Sequence, residues 1–417
     1  MQKSFIEIPS GHPFPLYNLP YGAFEHKGKT SIGVAIGDDV LNLTLLEEKG
    51  LLKVGALNGK KVFNHTTLNA FLATGKSCWS AVRQFLIHLL AVDTPDLRDN
   101  EALRRELLIP QSQILMKMPV HVGGYTDFYS SLEHATNLGK MFRDPTNPLL
   151  PNWKHIPVGY DGRASAIVVS GTKIKRPKGQ LKIGEDAPIC APTRQFDTEV
   201  ELGFVIGTGN ELGYPISIDL ASDHVFGVVV LLDWSARDIQ RWEYVPLGPF
   251  LGKNFGTTIS PWIVTMEALQ PFSVQGPVQD PKPLPYLSRQ NTNFDIDLHL
   301  QIKTQKMDTY KEIAHTNYKY MYWDLAQQVA HHTVNGCNLQ PGDILGTGTI
   351  SGPTPGSYGS LIELTWGGAH PIHLNSGEER TYLADNDSMQ VVAMAKKGDL
   401  CIGFGGAEAT VLSADDV

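Results

Sequence analysis

The chain has 417 residues, 42% of them hydrophobic and 19% charged, and a formal net charge of -8. At about 100–200 residues per domain this length predicts two domains of an ordinary globular kind. The acidic balance offers no basic footprint for nucleic acid or an anionic membrane, so an anionic ligand would need a local cluster of positive groups.

Residues 1–118 alternate short β-like runs at 30–36 and 40–45 with helical patterns at 67–74, 78–90 and 99–108. The last of these is rich in good helix formers. No dense polar constellation occurs here, so this part reads as a structural or regulatory domain. Near Pro119 glycine, aromatic and charged residues crowd together, and a second domain is expected over 119–417. Its β-like runs at 166–170, 198–206, 225–232, 294–302, 362–366 and 390–393 favour a sandwich or barrel-like roll over a doubly wound sheet. The proline-rich stretch 271–285 reads equally as a wrapped surface loop or a hinge. No run reaches the roughly 18 apolar residues of a membrane span. The opening residues lack the basic-then-apolar pattern of a leader. Cys78, Cys190, Cys337 and Cys401 form no CxxC pair. A cytoplasmic protein with free thiols is therefore expected.

Four acidic residues invite a chemical reading. In Asp197-Thr-Glu199-Val-Glu201-Leu-Gly-Phe, strand periodicity puts Glu199 and Glu201 on one face and Val200, Leu202 and Phe204 on the other. Taken alone, that segment reads most simply as a solvated acidic face beside a buried one. Asp233 ends the continuous apolar run Phe226–Leu232, a pattern typical of a strand buried on both sides, where an unpaired charge is costly. Ser235 and Asp238 resemble a capping box for a helix bearing Arg237, Gln240, Arg241 and Tyr244 on one face. Upstream, Asp127 and Tyr129 precede Ser130 and Ser131, either of which can cap a helix carrying His134. His331 and His332 have no chemical company and read as structural. If Asp127, Glu199, Glu201 and Asp233 converge they need a cation, because each like-charged pair ~4 Å apart repels by about 4 kcal/mol even at an effective dielectric of 20. An all-oxygen set selects Mg²⁺ or Ca²⁺ over zinc.

Convergence itself is supplied by a resemblance. Tyr125-Thr-Asp-Phe-Tyr-Ser-Ser-Leu-Glu-His134, Gly162-Arg-Ala-Ser165, Asp233-Trp-Ser-Ala-Arg-Asp-Ile-Gln240, Trp242-Glu-Tyr-Val-Pro-Leu-Gly-Pro-Phe-Leu-Gly-Lys253 and Gly346-Thr-Gly-Thr-Ile-Ser-Gly352 together resemble the fumarylacetoacetate hydrolase family over nearly the whole chain. The resemblance implies a mainly β (α+β) protein, with a small N-terminal SH3-like barrel and a C-terminal mixed β-sandwich roll, assembled as a homodimer. It implies Asp127, Glu199, Glu201 and Asp233 as metal ligands, with Lys253 and Thr257 at a second cation-related position. It also implies His134 as the base, oriented by Glu363, with Arg237, Gln240 and Lys253 stabilising charge. Tyr129, Arg143, Tyr160, Gln240, Tyr244 and Thr349 match substrate-contacting positions. Asp161 departs from the histidine usual in the family.

The implied reaction is hydrolysis of the carbon–carbon bond of a small β-diketo acid, giving fumarate and acetoacetate, the final step of tyrosine and phenylalanine breakdown. Negative charge would develop on oxygen, first as an alkoxide and then as an enolate. One well-aimed donor is worth about 3–4 kcal/mol there, and imidazole suits deprotonation of water near neutral pH. No GxSxG elbow and no cysteine within these motifs suggests a covalent nucleophile. The competing expectations are a related acylpyruvate hydrolase, isomerase or decarboxylase, and a non-catalytic β module braced by calcium. Neither glycine pattern, Gly346-Thr-Gly-Thr or Gly403-Phe-Gly-Gly, has nucleotide-binding spacing.

Overall fold

The computed structural model describes residues 2–414. Near the N-terminus an antiparallel sheet runs in the order Leu108–Pro110, Asp39–Asn42, Lys29–Ile36, Tyr21–His26, Leu115–Lys117. Its two edge strands are consecutive in sequence and are separated by the 3₁₀ turn Gln111–Gln113. Such a turn advances only about 2 Å per residue, too little to cross the roughly 19 Å of five flat strands. The sheet therefore curls toward closure, although no ladder joins its edges among the described residues. Beside it, the helix Lys76–Leu89 buries Trp79, Val82, Arg83 and Leu86, a helical stripe. The predicted helices at 67–74 and 99–108 are shorter, Asn69–Leu72 and Glu101–Leu107, the latter capped by the Asn100 side chain.

The second part is built on a large mixed sheet. Its order is Gly159–Asp161, Tyr125–Phe128, Ile344–Gly346, Phe196–Ile206, Val225–Ala236, Thr257–Ile259, Ile167–Val169, with Val264–Thr265 also paired to Val225–Ala236. Both faces of the two long central strands are covered, which explains the uninterrupted apolar run Phe226–Leu232 in the second of them. Val228, Val230 and Leu232 enter the main core with Leu298, Leu300, Val391 and Phe404 of a second sheet. That sheet runs Lys311–Asn317, Asp297–Lys303, Ser388–Lys397, Leu400–Leu412, Ile174–Lys175. On the opposite face Val229 and Leu231 pack with Tyr21, Phe71 and Ile263, so the N-terminal part seals the back of the sheet.

Three expectations change. The run at 362–366 is not a strand: Leu361–Leu364 forms a helical turn, because Asp197 accepts hydrogen bonds from the backbone N–H groups of Leu361 (2.8 Å) and Ile362 (3.1 Å). Ser235 does not cap a helix, since its strand continues to Ala236 and the helix Arg237–Glu243 begins without a side-chain cap. The proline-rich stretch 271–285 is not a hinge: Ser273–Gln275 pairs with Thr292–Phe294, and the Gln279 amide donates to the Tyr322 carbonyl at 2.7 Å. No helix among the described residues is long and apolar enough to cross a membrane, and all four cysteines are free.

Candidate active site

Antiparallel register sets Glu199 opposite Asp233, and Asp233 opposite Thr257 on the next strand. On the other side Asp127 pairs with Gly346, which also opposes Gly203. The acidic edge is therefore not solvated. Every residue of Phe196–Ile206 is buried, and Asp127, Glu199, Glu201 and Asp233 are each at most 5% exposed.

Asp127, Glu201 and Asp233 converge, with one carboxylate oxygen of each within 4.8 Å of the others. Asp127 Oδ1 and Glu201 Oε1 are buried and lack any hydrogen-bond partner. Their companion oxygens are satisfied: Tyr160 Oη donates to Asp127 Oδ2 at 3.1 Å, and the Gly348 N–H donates to Glu201 Oε2 at 3.1 Å. A Cβ at Gly346 would stand 2.5 Å from Asp127 Oδ1 and 3.1 Å from Glu201 Oε2, so only glycine leaves this cradle open. Burial, and then the neighbouring negative groups, push the Glu201 carboxyl well above the ordinary range. Burial also raises Asp233 and Asp127, against the opposing pull of Lys253. A cavity with two orphaned acceptors and three carboxyls reluctant to ionise suits a hard divalent cation, which would replace their protons.

Glu199 stands beside this trio and faces cations of the chain itself. Arg237 Nη2 donates to its Oε1 at 2.6 Å, and the Lys253 ammonium donates to both Glu199 and Asp233. Burial opposes the charge on Glu199, but Arg237 and Lys253 outweigh it and hold the carboxyl well below its usual range. Lys253 is likewise raised by Asp233 and Glu199 despite burial, so it remains an ammonium ion. It therefore brings a positive charge to the position expected for a second cation, and not a ligand atom. The Arg237 guanidinium is further held by Asp197 at 2.8 Å and by Gln240 Oε1 at 3.3 Å.

His134 lies in the first turn of the helix Leu132–Phe142, where Ser131 Oγ accepts from its backbone N–H at 3.1 Å. Its Nδ1 is 2.7 Å from Glu363 Oε2, and its Nε2 is 3.2 Å from Thr349 Oγ1 and 3.7 Å from Glu199 Oε1. Glu363 also accepts from Asn137 (2.9 Å), Ser351 (2.9 Å) and Ser360 (2.7 Å). Burial works against its ionisation, yet His134 and these donors bring the carboxyl below its ordinary value. An ionised Glu363 makes Nδ1 the donor, which leaves the Nε2 lone pair free to take a proton.

A cleft of about 160 Å³ reaches Asp233, Lys253 and Thr257 between Tyr160, Arg163 and the loop residues Pro249 and Phe250. Tyr129 packs edge-on against the His134 ring, with centroids 5.3 Å apart. Tyr244 is exposed and not drawn into the cluster. Arg143 is exposed and its guanidinium is bonded to the Pro148 carbonyl, yet it also reaches the Tyr129 hydroxyl, where its charge partly offsets the effect of burial. Asp161 is exposed and lies near His332, which bonds Thr126 at 2.9 Å, while His331 bonds Tyr286 at 3.0 Å, as suits structural histidines. Sequence reasoning missed Asp197, Asn137, Ser351 and Ser360. Each is an ordinary polar residue; Asp197, Asn137 and Ser351 act through partners at least 12 residues away along the chain, and Ser360 through Glu363 three residues on, within a turn that the sequence pattern does not show.

Fold and cluster together define an acid–base enzyme with an oxygen-lined cation cradle on a mixed β scaffold. Two family models match in tandem: "Fumarylacetoacetase N-terminal" over residues 17–119 and "Fumarylacetoacetate (FAA) hydrolase C-terminal" over 124–412. The chain belongs to the fumarylacetoacetate hydrolase family. It is 52% identical to the fumarylacetoacetase of Dictyostelium discoideum, over 99% of this chain and 98% of that protein. It is 49% identical to the Homo sapiens fumarylacetoacetase over 99% of each. Among solved structures, the fold is similar to a fumarylacetoacetate hydrolase from Exiguobacterium antarcticum, with TM-score 0.53, 18% identity, and 95% of this chain and 99% of that one covered. A maleylpyruvate hydrolase from Sphingobium aligns with TM-score 0.50 and 16% identity, over 95% of this chain and 100% of that one.

Proposed function

We propose that the chain hydrolyses the carbon–carbon bond of 4-fumarylacetoacetate to fumarate and acetoacetate, the last step of tyrosine and phenylalanine breakdown. Relatives sharing half its residues end to end carry the name of that activity. The observation that carries the chemistry is the pair His134–Glu363, joined at 2.7 Å, on the margin of the carboxylate cradle.

In this reading Asp127, Glu201 and Asp233, with Glu199 beside them, hold one Mg²⁺ or Ca²⁺. When bound, that ion supplies Lewis-acid stabilisation for negative charge on the diketone oxygens. His134 Nε2 removes a proton from water as the water oxygen bonds to the ketone carbon. Glu363 fixes the Nδ1–H tautomer and stabilises the imidazolium. Arg237, with Gln240 beside it, and Lys253 offset the alkoxide charge. When the carbon–carbon bond breaks, its electron pair passes to the acetoacetate carbon as an enolate, and His134 returns the proton there. Water is thus divided between the two products and no covalent enzyme intermediate is needed. Tyr160 lines the cleft, Tyr129 and Thr349 lie against His134, and Arg143 beside Tyr129 offers a cation for a substrate carboxylate, whereas Tyr244 would reach one only by turning inward from the surface.

A homodimer belongs to the same reading. The loop after Arg237–Glu243 exposes Val245, Leu247 (95% exposed), Phe250 and Leu251, and Phe250 also borders the cleft. Such an apolar run is costly to leave in water. Parallel assays on fumarylacetoacetate and on acylpyruvates test the substrate assignment. Turnover of fumarylacetoacetate with fumarate and acetoacetate in equal amounts is expected, and turnover confined to acylpyruvates would overturn it.

A further inference from the structure

On the outer sheet, far in sequence from the carboxylate cradle, a second set of ligating side chains meets. Asp297–Lys303 alternates half-buried and buried residues, so Asp297, His299 and Gln301 share the outward face. Across the ladder His299 opposes His315 directly, and the two imidazoles stack with centroids 4.3 Å apart and planes 16° apart. Glu312 should not belong to this face. It lies three residues from His315, an odd number, which in a regular strand points it to the opposite side. The ladder, however, shifts register between Leu300 and Gln301: Leu300 faces Ala314 while Gln301 faces Glu312, leaving Ile313 as the extra residue. This bulge turns Glu312 outward, and its Oε2 reaches His299 Nδ1 at 2.8 Å.

We propose that His299, Glu312 and His315 form a second divalent-cation site, of imidazole–carboxylate type, that takes zinc-class ions and not Mg²⁺. One ligand atom from each residue lies within 4.8 Å of the others, a span that a small ion closes with minor side-chain movement. In the metal-free form a proton joins His299 to Glu312, and the ion takes that proton's place. Outer support is already built. Asp297 Oδ1 stands 3.0 Å from His315 Nε2, and Asn317 Nδ2 donates to the same oxygen at 3.0 Å, so the ring is oriented by a carboxylate that is itself anchored. The side chains of His299, Glu312 and His315 are 30%, 48% and 48% exposed, so an ion can arrive from solvent and keep water on its open positions. Imidazole donors favour Zn²⁺, Ni²⁺ or Cu²⁺, whereas the cradle's oxygens favour Mg²⁺ or Ca²⁺, so the two sites sort ions by chemistry. Lys311–Asn317 is an edge strand, and an ion here would pin it to its neighbour.

The test is a calorimetric titration of the full chain with Zn²⁺ in saturating Mg²⁺. Unchanged chain, His299→Ala/His315→Ala, Glu312→Gln and Asp127→Asn are compared, with folding checked by circular dichroism. One zinc-binding event is expected in the unchanged chain and in Asp127→Asn, weakened at least about tenfold in Glu312→Gln and absent in the double variant. An identical isotherm in the double variant, or loss of the event in Asp127→Asn alone, would overturn the assignment.

Discussion

Two buried carboxylate oxygens, Asp127 Oδ1 and Glu201 Oε1, have no donor, and the missing side chain of Gly346 keeps the space beside Asp127 Oδ1 and the Glu201 carboxylate clear. Leaving such groups unpaired costs on the order of several kcal/mol for a charge, and burial accordingly raises the Asp127, Glu201 and Asp233 carboxyls above their ordinary range. Two consequences belong to this scale. Gly346→Ala drives a methyl group toward Asp127 and should weaken divalent-cation affinity by roughly 10–100-fold, the range for disturbed ligand support. Equilibrium dialysis with Mg²⁺ measures it, and unaltered affinity would count against the cradle. Proton release gives the sign of the pH effect. The free carboxyls sit above their ordinary range, binding requires their ionised forms, and acid therefore opposes binding. Affinity should rise with pH above the ordinary carboxylate range, and titrations in buffers of different ionisation enthalpy should report protons released on binding.

At the scale of elements, the base is aimed by one short-range device and one long-range one. Ser131 caps the helix Leu132–Phe142 at the N–H of His134 itself, and its hydroxyl also donates to the Ser351 carbonyl at 3.3 Å. Ser131→Ala should cost about 1 kcal/mol of stability in urea unfolding and lower turnover as well, because the lost cap belongs to the residue bearing the base. The cap was legible in the sequence, as were the continuous apolar run leading to Asp233, whose strand goes on to Ala236, and the helix through Arg237. The turn Leu361–Leu364 was not. Its pattern Leu-Ile-Glu-Leu suits a strand, and the helical turn forms because Asp197, 164 residues away from Leu361, accepts its N–H. The same blindness to distant partners made Ser235 look like a cap, and made the Glu199–Glu201 edge look solvated. Local pattern reveals period and caps; it carries no information about which buried donor will stand opposite an acid.

Across the whole molecule, one sheet faces two cores. Along the Val225–Ala236 strand Val229 and Leu231 pack against the N-terminal part and Val228, Val230 and Leu232 against the second sheet, so the cradle rests on backbone packed from both sides. The N-terminal part is thereby more than an appendage, since removing it would bare Val229 and Leu231 beneath the site. The proposed dimer belongs to this scale too. Leu247→Asp with Phe250→Asp should convert a dimer to monomers in sedimentation velocity, and a chain already monomeric before substitution would contradict that part of the reading. The central claim, that His134 draws the proton from water beside a bound cation, is tested most directly by measuring turnover of fumarylacetoacetate and bound Mg²⁺ in the same sample of His134→Ala. Turnover should fall by about 10²–10⁴-fold, as for loss of a general base, while Mg²⁺ content stays unchanged. Turnover within a few-fold of the unchanged chain, with the cation still bound, would contradict it.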